Sequence, residues 1–186
     1  MDTRSRSCLP LAFAALVLLL SACAHAPQRN PLAEWVPSPN FDARRPQLIV
    51  LHATEQQSAA ESLHTLRTRN SKGPVSAHYL VGDDGRIYQL VADGDRAWQA
   101  GAGRWGTMTE LNSASIGIEI DNARGEPYTE PQLAALLRLL DDLTTRLAIP
   151  KSQVIGHSDL APRRKVDPGA QFPWQRLAEA GYGLWP

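Results

Sequence analysis

Cysteine is scarce in this sequence, and its scarcity excludes two kinds of structure. The 186 residues include two cysteines, Cys8 and Cys23. We expect Cys8 to be removed with an N-terminal signal, for the reasons given below, so that one thiol remains. A single thiol forms no internal disulfide, even in an oxidising compartment. It also rules out a metal site built from several thiolates.

Net charge is a second missing feature. The chain has 19 Lys and Arg residues against 19 Asp and Glu residues, which gives a formal charge of zero. Proteins that bind nucleic acid usually carry a basic excess or a basic patch, and the run Arg163-Arg164-Lys165 is too short to provide one. We therefore expect no nucleic-acid partner. With 43% hydrophobic residues, a chain of this length suits one ordinary domain.

The N-terminal apolar run is short. It extends from Leu9 to Leu20, whereas a membrane-spanning helix needs about 18 or more apolar residues. Arg4 and Arg6 precede the run and small residues follow it, which is typical of a secretory signal. We predict a signal peptide over residues 1–22; a membrane-spanning anchor is the alternative interpretation.

The end of this signal has a further feature. Residues 20–23, Leu-Ser-Ala-Cys, resemble a bacterial lipoprotein signal, in which cleavage before the cysteine leaves it lipid-modified. Cys23 would then attach the protein to a membrane. Ala24 replaces the aspartate that retains many lipoproteins in the inner membrane, so we expect the periplasmic face of the outer membrane. Residues 23–45 are rich in proline and predict an extended tether, with the folded domain over 46–186.

Strand and helix patterns alternate from residue 47 onward. The apolar runs 47–51 and 154–155 suit buried strands, and 75–81 with 86–91 predict a hairpin that turns at 83–85. Ser58 and Thr129 are suitable N-caps for helices over about 59–69 and 130–148, and 173–180 predicts a short last helix. The fold class is therefore α/β, with a mixed central β-sheet flanked by helices.

Polar residues gather where two of these strands end. His52 follows the first apolar run, His157 follows the last, and Asp167 lies in the proline-rich loop beyond. If the two strands are parallel neighbours, both imidazoles emerge at one edge of the sheet. Two imidazoles and a carboxylate are a common ligand set for catalytic zinc, which keeps a fourth position open. We predict a Zn²⁺ site here.

Two other features have alternative interpretations. Glu119 is a carboxylate in the middle of a strand over 115–121 whose isoleucines take the opposite face. On an edge strand facing water it would have no function, whereas beside a metal it could carry protons. Trp98 and Trp105 lie in a glycine-rich loop over 93–106, where each could contact a ligand or cover the core.

Four segments of the domain resemble the zinc-dependent N-acetylmuramoyl-L-alanine amidases, which share a fold with peptidoglycan recognition proteins. They are VSAHYLV at 75–81, IYQLV at 87–91, LNSASIGIEI at 111–120, and GHSDLAPRRKVDPG at 156–169 with FPW following at 172–174. The resemblance runs from about Leu48 to Trp185. The most similar branch is that of the bacterial lipoprotein amidases and their cytoplasmic relatives, whose third ligand is aspartate.

The resemblance implies a role for each matching residue. The zinc ligands would be His52, His157 and Asp167, with Glu119 as catalytic carboxylate and Lys165 as catalytic lysine. His78 is expected to lie behind the ligands or to line the sugar site. The weaker candidates for substrate contacts are Trp98, Asn112 and Arg164.

Three positions depart from the family's pattern. Ala53 follows the first ligand, where an aromatic residue or histidine is frequent, and Gln99 stands where histidine is common. We expect both to affect substrate contacts more than the metal. Ala77 occupies the place of a tyrosine that serves other branches, so the acid/base role falls to Glu119.

The function implied by the resemblance is hydrolysis of the amide bond between muramic acid, ordinary or 1,6-anhydro, and the L-alanine of peptidoglycan stem peptides. Such an enzyme serves cell-wall turnover or recycling, and we expect a monomer. One rival is a peptidoglycan-binding module with the same fold that does not cleave. The other is a zinc peptidase that cuts within the stem peptide. All three ligands and the carboxylate are present, which argues against the first rival; the products distinguish the second.

Overall fold

The structure is a computed structural model that describes residues 29–44, 46–71, 73–123 and 125–183. The expected signal peptide and Cys23 lie outside these residues. No helix within them is long and apolar enough to span a bilayer. Ten strands lie within these ranges: β1 (Glu34–Trp35), β2 (Phe41–Ala43), β3 (Leu48–Ala53), β4 (Arg69–Asn70), β5 (Gly73–Pro74), β6 (Tyr79–Val81), β7 (Ile87–Gln89), β8 (Asp95–Ala97), β9 (Ser115–Ile120) and β10 (Val154–Gly156). The described residues also form five α-helices, which are α1 (Ala59–Arg67), α2 (Leu111–Ala114), α3 (Glu130–Arg146), α4 (His157–Leu160) and α5 (Trp174–Glu179).

Six strands form the central sheet, in the order β1-β7-β6-β9-β3-β10. Strands β6, β9, β3 and β10 are mutually parallel, and β7 runs antiparallel to β6. The predicted mixed sheet, the hairpin and the parallel pairing of β3 with β10 are therefore confirmed. The strand predicted over 75–81 is regular only from Tyr79, because Ser76 N–H donates instead to the carbonyl of Trp98 in the neighbouring loop.

The two faces of the sheet have different partners. Helix α3 is capped by Thr129, whose hydroxyl accepts from Gln132 N, and it buries a leucine stripe against one face of the sheet. The isoleucines of β9 point to this face. Ser115, Gly117 and Glu119 therefore point to the other face, which is covered by the loop and helix between β8 and β9. One face therefore packs on the larger apolar core, and the other face holds the polar residues of β9 beside a smaller apolar cluster.

Residues 29–44, which were predicted to belong to an extended tether over 23–45, instead form part of the folded domain. Strand β1 pairs with β7 in the central sheet, and β2 pairs with β8. Asn30 is buried. Its backbone N–H donates to Gln89 Oε1, and its side-chain amide donates to Asp142 Oδ2 at 2.7 Å. The domain therefore begins before residue 46. Local pattern could not indicate this, because these strands are two or three residues long and their partners are distant in sequence.

The turn between β6 and β7 requires a glycine for two separate reasons. Gly85 has φ +81°, and a Cβ there would lie 2.8 Å from the carbonyl oxygen of Pro131 at the start of α3. Gly106 also has a positive φ, +56°, but a Cβ there would meet nothing within 4 Å. An alanine at Gly106 would therefore cause backbone strain alone, whereas an alanine at Gly85 would cause backbone strain and steric overlap.

We predict that Gly106→Ala lowers the free energy of unfolding by about 1–2 kcal/mol, the cost of a left-handed L-residue. Gly85→Ala should cost about 1–3 kcal/mol more, because the added methyl group overpacks α3. Urea denaturation of both variants measures the difference. Equal losses would show that the Pro131 contact is unimportant.

Candidate metal centre and active-site cleft

Two imidazoles emerge at the same edge of the sheet. Strands β3 and β10 pair in parallel, with Leu51 opposite Gly156. His52 follows Leu51 and His157 follows Gly156, so the two histidines lie side by side. Both rings are buried, and their centroids lie 4.5 Å apart. The sequence prediction that the two strand ends meet is confirmed.

Asp167 reaches these rings from the loop that follows α4. Its carbonyl accepts from Ser158 N, and Tyr128 donates its hydroxyl to the carbonyl of the next residue, Pro168, at 2.8 Å. Asp167 Oδ2 lies 3.1 Å from His52 Nδ1 and 3.0 Å from His157 Nδ1. One donor atom from each of the three residues falls within 4.8 Å of the other two. The loop thus completes a set of three side chains of the kind that binds zinc.

The outer nitrogen of His157 shows how well this set suits a metal. His157 Nε2 lies 2.9 Å from the carbonyl oxygen of Ala100, which can only accept a hydrogen bond. The ring proton therefore resides on Nε2, and Nδ1 directs a lone pair at the carboxylate of Asp167. Two acceptors that face each other in a buried site require a cation or a proton between them. This is the arrangement of a metal-ligating histidine whose other nitrogen is held by a carbonyl.

Charge in the cluster also favours a cation. Burial alone would raise the pKa of Asp167, but the hydrogen bonds and charge of the two imidazoles hold that pKa well below its usual range. Burial lowers the pKa of His52, yet Glu119 and Asp167 raise it above its ordinary value overall. Burial lowers the pKa of His157. Asp167 therefore remains an anion, as a metal ligand must.

Glu119 lies beside this cluster. It is directly opposite His52 on β9, the strand between β6 and β3 in the interior of the sheet. Burial raises the pKa of its carboxyl group, while His52 lowers that pKa and Asp167 raises it further. The alternative of a carboxylate on an exposed edge strand is excluded. A carboxyl group with a raised pKa next to a candidate metal is suited to accept and release a proton.

The cluster forms the floor of a cleft of about 440 Å³. Lys165, Trp98 and Arg164 all line this cleft, as the sequence predicted for catalytic or substrate contacts. A second cleft of about 320 Å³ adjoins it, and the two share Ala53, Glu55, Val166 and Asp167. Val166, at the boundary of the two clefts, has 67% of its surface exposed. The combined groove is large enough for an extended ligand to pass over the three ligands.

Two predicted contact residues lie elsewhere. His78 is fully buried, with Gly117 N–H donating to its Nδ1, and it contacts neither the ligands nor the cleft. Asn112 does not line the cleft; its Oδ1 accepts from the backbone N–H groups of Gln99 and Ala100. Neither residue lines the cleft in which the sequence predicted it, and α2, which carries Asn112, was not predicted.

The two tryptophans divide the roles that the sequence left open. Trp98 lines the cleft. Trp105 instead packs on the smaller core cluster, and its Nε1–H donates to Gln153 Oε1 at 2.8 Å. Sequence reasoning missed Gln99 as a partner of the metal cluster: its Oε1 lies 2.5 Å from His52 Nε2. Gln99 also lines the cleft, so the expectation that it affects substrate contacts stays a prediction beside this contact with His52.

Comparison with known proteins agrees with this geometry. The profile of the Amidase_2 family, described as N-acetylmuramoyl-L-alanine amidase, matches residues 42–170. The chain belongs to this family. The fold places it with the same group: a crystal structure of AmpD superposes with a TM-score of 0.72 at 32% identity, covering 81% of this chain and 95% of that one.

Particular relatives can be named on sequence and structure. AmiD of Escherichia coli is 39% identical over 158 residues, 76% of this chain and 55% of that protein. AmpD of Enterobacter cloacae is 32% identical over 164 residues, 78% of this chain and 88% of that protein. E. coli AmiD in complex with anhydro-N-acetylmuramic acid-L-Ala-D-γ-Glu-L-Lys gives a TM-score of 0.70 at 35% identity, covering 86% of this chain and 63% of that one. The chain spans about half the length of the first curated relatives it matches.

We predict that His52→Ala, His157→Ala and Asp167→Ala each lose bound zinc, because a three-ligand site rarely tolerates the removal of one ligand. His64→Ala is the control, since that histidine is exposed on α1. Elemental analysis of the purified variants gives the metal content. Full zinc occupancy in the three ligand variants would remove this cluster as the metal site.

Proposed function

We propose that the protein is a zinc-dependent N-acetylmuramoyl-L-alanine amidase. It hydrolyses the amide bond between N-acetylmuramic acid, ordinary or 1,6-anhydro, and the L-alanine of a stem peptide. One observation carries the proposal: Glu119 lies beside three convergent metal-binding side chains at the floor of one open cleft. A binding module needs the groove but has no use for this arrangement.

The metal would be held by His52, His157 and Asp167. When bound, zinc supplies Lewis acidity, which activates a water molecule and polarises the scissile carbonyl. The remaining steps belong to the chain's own groups. Glu119 takes the proton of the attacking water and passes it to the departing amine of L-alanine.

Lys165 supports the second charge that develops in this reaction. It lines the same cleft two residues before Asp167, and its charge lowers the pKa of Glu119. An ammonium group there stabilises the oxyanion that forms on the attacked carbonyl.

The substrate class follows from the relatives and from the shape of the groove. E. coli AmiD has been crystallised with an anhydro-muramyl tripeptide. In this chain two adjoining clefts meet at Asp167, so that a ligand can extend in both directions from the reacting bond. We infer that the glycan lies in one cleft and the stem peptide in the other, which suits a role in cell-wall turnover or recycling.

The first test of this proposal is Glu119→Gln. If the carboxylate carries the proton, zinc remains bound while turnover of muropeptides falls by roughly 10²–10⁴-fold, the usual contribution of a positioned acid/base group. Substrate affinity should survive, because the carboxylate acts mainly in the transition state. Lys165→Ala should show a smaller loss, since zinc also stabilises the oxyanion.

Glu110→Gln is the matched control, because Glu110 is exposed and its side chain caps nothing. Turnover should be measured with zinc content determined on the same samples. Near wild-type turnover by a zinc-loaded Glu119→Gln protein would contradict the assignment of the proton carrier.

We further propose that the protein is a lipoprotein on the periplasmic face of the outer membrane. The support is the sequence Leu20-Ser21-Ala22-Cys23 with Ala24 after it. A lipid on Cys23 would hold the amidase close to the wall fragments that it cleaves. The enzyme itself is expected to act as a monomer.

Cys23→Ser should abolish incorporation of labelled fatty acid and release the protein into the soluble fraction, because the thiol is the attachment point. Cys8→Ser is the control and should keep the label, since that residue lies within the signal. Labelled lipid on the Cys23→Ser protein, or a wild type that fractionates as soluble, would contradict the lipoprotein assignment.

A further inference from the structure

One dipeptide contacts the outer nitrogen of both metal-binding imidazoles. Gln99 Oε1 lies 2.5 Å from His52 Nε2, and the carbonyl oxygen of Ala100 lies 2.9 Å from His157 Nε2. These two residues follow β8 in the loop that covers the polar face of the sheet. The loop therefore contacts the Nε2 side of both rings, whereas Asp167 faces their Nδ1 atoms.

The direction of the Gln99 amide is set by its other contact. Gln99 Nε2 lies 2.6 Å from Ser115 Oγ, and Ser115 Oγ lies 2.6 Å from the carbonyl oxygen of Leu111. A carbonyl only accepts, so the single hydroxyl proton of Ser115 goes to Leu111. The serine oxygen is then free to accept from the amide NH₂ of Gln99. This leaves the carbonyl oxygen of Gln99 facing His52.

The consequence for His52 is a fixed tautomer. Because Gln99 Oε1 accepts, His52 Nε2 must carry the proton and donate it. In the neutral ring, Nδ1 is then an unprotonated acceptor, and it lies 3.1 Å from Asp167 Oδ2. The chain of hydrogen bonds from Leu111 through Ser115 and Gln99 thus favours the Nε2-protonated tautomer of His52. The carbonyl of Ala100 favours the same tautomer of His157.

We propose that Gln99 is a positioning residue for the metal, whose amide, oriented by Ser115, holds His52 with its Nδ1 lone pair available to zinc. The inference deepens the proposed function and rests on its metal. It assigns a metal-related role to a glutamine at a position where the resemblance leads one to expect histidine.

The surroundings of Gln99 are built to hold it. The backbone N–H groups of Gln99 and Ala100 both donate to Asn112 Oδ1, at 3.1 and 2.8 Å. On β9, Gly117 provides the space for the glutamine: a Cβ there would lie 2.5 Å from Gln99 Cγ and 2.8 Å from Cδ. The amide therefore has few alternative positions, and the imidazole that it contacts is buried.

The test is the zinc affinity of the full chain, measured by competition with a chromogenic chelator. Gln99→Leu removes the acceptor while keeping a side chain of similar size. We expect zinc to bind about 10–100-fold more weakly, the usual cost of losing the outer partner of a ligating histidine. Gln99→Glu keeps an acceptor facing Nε2 and should restore most of the affinity.

Gln56→Leu is the matched control. Gln56 lines the same cleft, but its amide donates to Thr65 Oγ1 at 2.8 Å and contacts no ligand. Its zinc affinity should equal that of the wild type. Thermal unfolding of the metal-free variants shows whether the Gln99 variants remain folded.

Two results would overturn the inference. Wild-type zinc affinity in Gln99→Leu would show that the amide does not orient the ligand. Equal losses in Gln99→Leu and Gln99→Glu would show that the residue acts by packing. Neither result depends on hydrolysis: a wild type that binds zinc but releases no stem peptide would contradict the proposed function and leave the role of Gln99 intact.

Discussion

The convergence of three hydrogen-bond acceptors in one buried volume is the constraint on which the rest of the structure depends. Two imidazole Nδ1 atoms lie 3.1 and 3.0 Å from one carboxylate oxygen of Asp167. Buried acceptors that face one another are costly unless a cation or a proton lies between them. The parallel pairing of β3 with β10 brings the two rings together, and the loop after α4 adds the carboxylate. A bound metal would convert this unfavourable contact into a stable site.

The division of the sheet into two faces makes room for such a cluster. The leucines of α3 and the isoleucines of β9 form an apolar core on one face, which provides the burial that stabilises the fold. The polar residues of the same strands are thereby free to carry chemistry on the other face. Ser115, Gly117 and Glu119 occupy alternate positions of β9, where Ser115 contacts the amide of Gln99, Gly117 leaves space for it, and Glu119 is the proposed proton carrier.

The sequence predicted the parts of the site that follow from local pattern. Apolar runs located β3 and β10, and a histidine at the end of each indicated that the rings would meet. The resemblance to the amidase family then assigned roles to Glu119 and Lys165. Pattern could not show that β9 lies inside the sheet, because strand order depends on pairing between distant segments. The contacts of Gln99, Asn112 and His78 were missed for a similar reason, since each is determined by a loop or a short helix without periodicity. The strands before residue 46 are too short to produce any hydrophobic alternation.

Product analysis of the wild-type protein tests the central claim most directly. Muropeptides should be digested by the zinc-loaded protein, by the protein after treatment with a chelator, and by the treated protein after zinc is restored. Mass spectrometry should then show intact stem peptides with a free L-alanine amine and glycan with a free lactyl carboxylate in the first and third digests only. Peptide fragments cut within the stem, or release of intact peptide that the chelator does not reduce, would contradict a zinc amidase built on His52, His157 and Asp167.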